Sequence, residues 1–188
     1  MEPAALEARA APSDPIAQMH AAHEAAAVLV HAGRSASDPD LTERLVTLVE
    51  EIGLSTLADL WATRPARSLP GALWRLYLLR ESMRANAGGV AREYFFGVRF
   101  TEPNHVVAGV EPPGPEEVIR VADEILRGAF TGDFAVALER AASFCYVVVA
   151  GRAYATPGPR AALNALRLRD VADDLAACAD LWRAGRLS

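Results

Sequence analysis

Residues 68–87 read SLPGALWRLYLLRESMRANA, and this pattern sets the class of fold that we expect. A serine followed two residues later by proline is typical of a helix start, because the hydroxyl caps free backbone amides and proline suits the first turn. Beyond that start, apolar side chains recur at three- and four-residue steps: Leu69, Leu73, Leu76, Leu79 and Met83. This spacing predicts an amphipathic helix with one buried face.

Similar helix starts recur along the chain. Ser-Asp-Pro stands at 13–15 and again at 37–39, and Pro115 is followed by two glutamates that favour the positive end of a helix dipole. With the apolar stripes between them, these starts predict an all-α fold, a single compact helical bundle of about seven helical segments. We assign residues 13–188 to that domain and residues 1–12 to a frayed N-terminal tail.

The secondary structure of residues 90–100 is ambiguous. The run YFFGVRF at 94–100 has the composition of a strand, yet helical spacing also fits Val90, Tyr94 and Val98. We expect a helix, because the neighbouring segments are all helical in pattern and a lone strand has no obvious partner. The alternative is a short β-like excursion near 94–108.

Charge is distributed unevenly along the chain. The 188 residues carry a formal net charge of −5, but residues 64–100 contain seven arginines and only two acids, Glu81 and Glu93. The same segment holds six of the thirteen aromatic residues. A basic, aromatic-rich segment between acidic ones is typical of a surface that meets a partner.

Within this basic segment, helical spacing groups the candidate contact residues on two faces. Tyr77, Arg80 and Arg84 share the first face, Arg92, Phe96 and Arg99 share the second, and Arg75 is a further candidate contact residue in the same segment. Arginine binds carboxylates and phosphates bidentately, and aromatic rings stack on bases or guanidinium groups. The leading hypothesis is a non-catalytic interaction or regulatory protein that contacts an acidic protein partner or its own second copy. A nucleic-acid-binding protein that uses the same arginines is the alternative.

A further alternative is a small helical enzyme or ligand-binding protein with a pocket near His105. This histidine lies in the longest predicted loop, 101–115, after Glu102 and Asn104, and either neighbour can orient an imidazole that acts as a general base. No GxSxG, HExxH or other nucleophile motif accompanies it. The sequence therefore assigns no catalytic residue.

Several kinds of site are excluded or disfavoured by composition. All nineteen basic residues are arginine, so Walker-type phosphate loops, Schiff-base chemistry and a kinase lysine are excluded. His20 and His31 share a side of the first helix but lie about 16 Å apart along its axis, too far for one metal ion. The DxxDD pattern at 170–174 indicates a solvated charged face. We expect no metal and no cofactor.

The two cysteines and the apolar runs bear on the compartment. Cys145 and Cys178 form no CxxC pair, and we expect reduced core thiols, which suit a cytoplasmic protein. The longest strongly apolar run, 141–151, is about half the ~20 residues that a membrane-spanning helix needs. The first residues, MEPAALE, lack the charged-then-apolar pattern of a signal peptide. The sequence predicts a cytoplasmic protein with no membrane partner.

Overall fold

The computed structural model describes residues 14–36, 38–101, 114–155 and 158–187. These ranges contain nine helices and no strand, which confirms the all-α fold class. The helices are α1 (Pro15–Ala36), α2 (Pro39–Val46), α3 (Leu48–Ile52), α4 (Leu54–Trp61), α5 (Leu69–Ala85), α6 (Ala87–Thr101), α7 (Pro115–Thr131), α8 (Phe134–Ala155) and α9 (Pro159–Arg183). The predicted tail, 1–12, lies outside the described residues.

Side-chain caps begin several of these helices where short polar residues precede them. At the start of α5 the Ser68 hydroxyl accepts a hydrogen bond from the Gly71 amide at 3.2 Å, with Pro70 in the first turn. Asp38 caps α2 in the same way by accepting from the Asp40 amide at 2.9 Å. These bonds satisfy amides that have no partner within the helix, and they fix where each helix begins.

The ambiguous stretch is helical as far as it is described. Helix α6 covers Ala87–Thr101, so the β-like alternative is wrong for residues 94–101, and residues 102–108 lie outside the described ranges. Val90 and Gly97 are buried on the side of α6 that packs along α8, whereas Arg92 is exposed. An amphipathic helix packed on a neighbour satisfies its own backbone and buries its apolar side, which a lone strand cannot do.

Helix α8 is the central element and packs against α6, α7 and α9, while α5 packs against α1, α7 and α9. By length and composition α8 could also cross a membrane, and 56% of its most apolar 18-residue window is buried within the fold. A core helix passes the same test of length and composition. The central position of α8 accounts for the buried part of its apolar surface.

Helices α6 and α8 cross with their backbones in contact. A Cβ atom on Gly97 would overlap the carbonyl oxygen of Val147, and one on Gly151 would overlap the carbonyl oxygen of Glu93. Glycine is therefore required at both positions, because any side chain would push the helices apart. The crossing fixes the orientation of α6, and with it the direction in which its polar side chains point.

Candidate functional site

Tyr77, one of the predicted contact residues, lies inside the core. Its side chain is fully buried, and its hydroxyl donates a 2.6 Å hydrogen bond to the carbonyl oxygen of Leu45. Its ring packs between Trp61 and Phe130, with centroid distances of 6.3 and 6.4 Å. Burial raises the pKa of Tyr77, despite the nearby positive charge of Arg80. The prediction that Tyr77 meets a partner is wrong, because the residue is part of the packed interior.

Arg80 is also buried, with 2% of its surface exposed, and its guanidinium forms ion pairs with acids of the same chain. Nε donates to Asp123 Oδ1 at 2.6 Å, and Nη1 donates to Glu81 Oε1 at 2.8 Å. Nη2 donates to Glu50 Oε1 at 3.3 Å. Burial alone would lower the pKa of Arg80, but its hydrogen bonds to Asp123 and Glu50 outweigh burial and raise it. The contact role predicted for Arg80 is therefore wrong: this side chain joins α3, α5 and α7.

Arg75 and Arg84 are only partly available to a partner. Arg75 donates to Asp174 on α9 at 3.2 Å, and its side chain is 19% exposed. Arg84 is 39% exposed, and its Nη2 lies 3.4 Å from Oε1 of Glu50, which also forms an ion pair with Arg80. The predicted contact arginines of α5 thus form mostly intramolecular ion pairs, with acids on α3, α5, α7 and α9.

The second predicted face lies on the solvent side of α6. We call it the outer face of α6 and define it by Arg92, Phe95, Phe96 and Arg99. The two arginines are exposed and the two rings are half-buried. Spacings of three, four and seven residues place all four on one side of the helix, opposite the side that packs on α8.

The side chains of the outer face contact one another. The rings of Phe95 and Phe96 meet edge to face with their centroids 5.7 Å apart. The guanidinium carbon of Arg99 lies 5.1 Å from the Phe95 ring centroid, a cation–π contact. Arg92 is exposed and forms no ion pair with any residue that the structure describes. Phe95 was missed by sequence reasoning, although its spacing of three from Arg92 and four from Arg99 would have placed it here.

The residues proposed for the alternative pocket, His105, Asn104 and Glu102, lie outside the described residues, and their role stays a prediction. Within the described ranges, no three histidine, cysteine, aspartate or glutamate side chains are grouped so that they could hold a metal ion. Cys145 and Cys178 are both free and buried, and burial raises their thiol pKa values to about 12 and about 11. Neither thiol is suited to nucleophilic chemistry at neutral pH.

Comparison with known proteins gives no family for this chain. No family model, curated protein or solved structure matches it. Function is therefore argued from the side chains themselves. Among the predicted contact arginines, those of the outer face of α6 are exposed and pair with no carboxylate of a described residue.

Proposed function

We propose that this protein is a non-catalytic, cytoplasmic interaction protein and that the outer face of α6 binds an acidic segment of a partner protein. The observation that carries the proposal is the arrangement of Arg92, Arg99 and two half-buried phenylalanine rings on one solvent-facing side of a helix. Arginine and aromatic residues are enriched at protein interfaces, where the rings supply apolar area and the guanidinium groups bind carboxylates bidentately.

The rigid mounting of α6 favours a binding role. Its inner side is fixed to α8 at the Gly97 and Gly151 contacts, and by the ion pair between Glu93 and Arg152, whose two hydrogen bonds measure 3.0 and 2.8 Å. A surface that is already ordered loses less conformational entropy when a partner binds.

Charge favours an acidic protein over nucleic acid. The outer face offers two guanidinium groups on a chain of net charge −5. The electrostatic energy of binding to nucleic acid grows with the number of phosphates neutralised, and two contacts supply only a small part of what about 6–10 contacts give. A short acidic segment with an apolar side chain matches both the charge and the rings. A second copy of this chain can also supply exposed carboxylates, since Glu116 and Glu117 are exposed at the start of α7.

The two free cysteines support the cytoplasmic location in this proposal. Two free, buried cysteines suit a reducing compartment, where disulfides are rare. The proposal assigns no chemistry to the site, because the outer face holds no nucleophile, general base or metal ligand.

The test is a fluorescence anisotropy titration of the full chain with a short labelled peptide rich in glutamate and leucine. Arms with labelled single-stranded RNA and double-stranded DNA run beside it at low and high salt. We expect saturable peptide binding, and we expect Arg92→Ala with Arg99→Ala to weaken it roughly tenfold or more, because two charged hydrogen-bond donors are lost.

The matched control is Arg44→Ala with Arg120→Ala, which removes the same charge from two other exposed positions. Equal weakening in both double variants would mean that only overall charge matters and would contradict the proposal. Nucleic acid binding tighter than the peptide would replace it with the nucleic-acid hypothesis. Self-association that the Arg92 and Arg99 variants abolish would identify a second copy as the acidic partner.

A further inference from the structure

We propose that an open groove between α5, α6, α8 and α9 binds the phosphate group of a small, polar phosphomonoester. We call it the arginine groove and define its binding residues as Asn86, Arg152, Arg160, Asn164 and Arg167. Its volume is about 530 Å³. The groove lies on the inner side of α6, so this site is distinct from the outer face and does not depend on the function proposed above.

The floor of the groove holds an arginine that is already neutralised. Arg152 donates from Nε to Glu93 Oε1 at 3.0 Å and from Nη2 to Glu93 Oε2 at 2.8 Å. Both side chains are largely buried, with 16% and 9% of their surface exposed. The adjacent glycine contact between Gly151 and the Glu93 backbone holds the pair in place. This pair therefore adds no net charge but provides a fixed polar floor.

The wall formed by α9 carries two arginines that the fold does not neutralise. Arg160 and Arg167 are seven residues apart on one side of the helix, about 10 Å along its axis, with Asn164 between them. Neither guanidinium forms an ion pair or hydrogen bond with any residue in the described parts of the chain. Most other arginines in those parts have a carboxylate partner within 4.0 Å. Two positive charges beside one groove, without a carboxylate partner among the described residues, favour the binding of an anionic ligand.

The net positive charge of the groove indicates which class of anion it binds. With Glu93 balancing Arg152, the groove keeps the two positive charges of Arg160 and Arg167, and a phosphomonoester carries about −1.5 to −2 at pH 7. A single carboxylate would balance only one of them. Arginine also binds phosphate oxygens bidentately, which gives geometric selectivity as well as attraction.

The remaining lining indicates the rest of the ligand. A volume of about 530 Å³ lies within the range typical of small-molecule sites and exceeds what a bare phosphate fills. Asn86, Asn164 and Ser82 are exposed, and their side chains make no hydrogen bond with any described residue, so they can bond to hydroxyl or amide groups. The groove thus fits a phosphate ester of a hydroxyl-bearing molecule such as a sugar or a nucleoside.

The experiment is isothermal titration calorimetry of the full chain with ribose 5-phosphate, adenosine 5′-monophosphate, unphosphorylated ribose and succinate. We expect one of the two phosphate esters to bind saturably, while ribose does not bind, and the tighter ester then identifies the organic part. We expect Arg160→Ala with Arg167→Ala to weaken that binding at least tenfold. Circular dichroism checks that the double variant keeps its helices.

Two control variants separate this site from general attraction. Arg169→Ala removes an exposed arginine from the same helix outside the groove, and Arg92→Ala removes one from the outer face of α6. Both should bind the phosphate ester like the parent chain. The proposal is overturned if neither ester binds, if succinate binds as tightly as the better ester, or if Arg169→Ala weakens binding as much as the double variant.

Discussion

The Arg80 guanidinium donates from Nε to the Asp123 carboxylate at 2.6 Å, across 43 positions of sequence and between helices α5 and α7. Together with the bonds to Glu81 and Glu50, this bond neutralises the buried positive charge of Arg80. The basic segment therefore has two roles. Its first helix, α5, directs arginines inward to internal acids, and its second helix, α6, presents arginines to solvent.

We expect Arg80→Ala to lower the free energy of unfolding by about 3 kcal/mol, because it removes the cation that three acids share and leaves them to repel one another. Guanidinium chloride denaturation followed by circular dichroism measures the change. Arg84→Ala is the control, since that side chain is 39% exposed and its pairs with the same acids are worth at most about 1 kcal/mol. A smaller loss for Arg80→Ala than for Arg84→Ala would contradict the structural role.

The glycine crossing between α6 and α8 gives a second stability test. Gly97→Ala and Gly151→Ala each place a methyl group on a backbone carbonyl of the other helix, and we expect each to cost about 3 kcal/mol, the upper end for overpacking. Gly128→Ala, in the last turn of α7, should instead stabilise the protein by about 0.5–1 kcal/mol. A Cβ there would lie 3.7 Å from the Ala137 Cβ, an ordinary contact. Urea denaturation of the three variants provides the comparison, and a loss for Gly128→Ala equal to the others would contradict the tight crossing.

The buried thiols predict how stability depends on pH in the alkaline range. Burial raises the pKa of Cys145 to about 12 and that of Cys178 to about 11, whereas an unfolded thiol titrates near pH 8.5. The two thiols leave the free energy of unfolding unchanged below pH 8.5. Above pH 8.5 the free energy of unfolding falls, until about pH 11 for Cys178 and about pH 12 for Cys145, because the unfolded chain releases protons that the folded chain keeps.

Two measurements check the thiol prediction. Urea denaturation should give a lower free energy of unfolding at pH 10 than at pH 8, and replacing both cysteines with alanine should reduce that difference. A thiol-specific reagent at pH 8 should label the native protein only as fast as it opens. Rapid labelling of the native state would mean that these thiols are accessible.

Much of the fold follows from local patterns, and the exceptions have local causes. The apolar stripe from Leu41 to Ile52 predicts one helix, but the structure divides it at Thr47, whose hydroxyl donates to the Glu43 carbonyl at 2.8 Å. A side chain that bonds to the preceding turn competes with the helix and bends it. Gly33 resembles a helix end in sequence, yet α1 continues to Ala36 and uses this glycine to approach Phe130 closely.

The candidate sites were less predictable, because periodicity shows which residues share a face but not where that face points. The spacing of Tyr77 and Arg80 correctly places them on one side of α5, but the acids that draw this side inward come from α3 and α7. Likewise, Leu163 and Leu166 belong to the apolar stripe of α9 but are 50% and 61% exposed. The buried residues of α9 lie at 172–179, where it packs on its neighbours.

The arginine groove was not predictable from local sequence at all. Its residues come from two distant parts of the chain, Ser82 to Glu93 and Arg152 to Val171. Glu93 and Arg152, which pair across the groove, are 59 positions apart. The crossing of α6 and α8 brings these residues together. That crossing depends on Gly97 and Gly151, and the need for glycine there is recognised only from the position of the other helix's backbone.

Arginine footprinting tests the central claim, the division of the basic segment, most directly. The full chain is treated with phenylglyoxal, alone and with the glutamate- and leucine-rich peptide, and modification is read at each arginine by mass spectrometry. We expect Arg80 to stay unmodified in both conditions and Arg44 and Arg120 to react in both. We expect Arg92 and Arg99 to react in the free protein and to be protected by the peptide. Modification of Arg80 at the rate of Arg92, or protection confined to arginines outside the outer face of α6, would contradict the account.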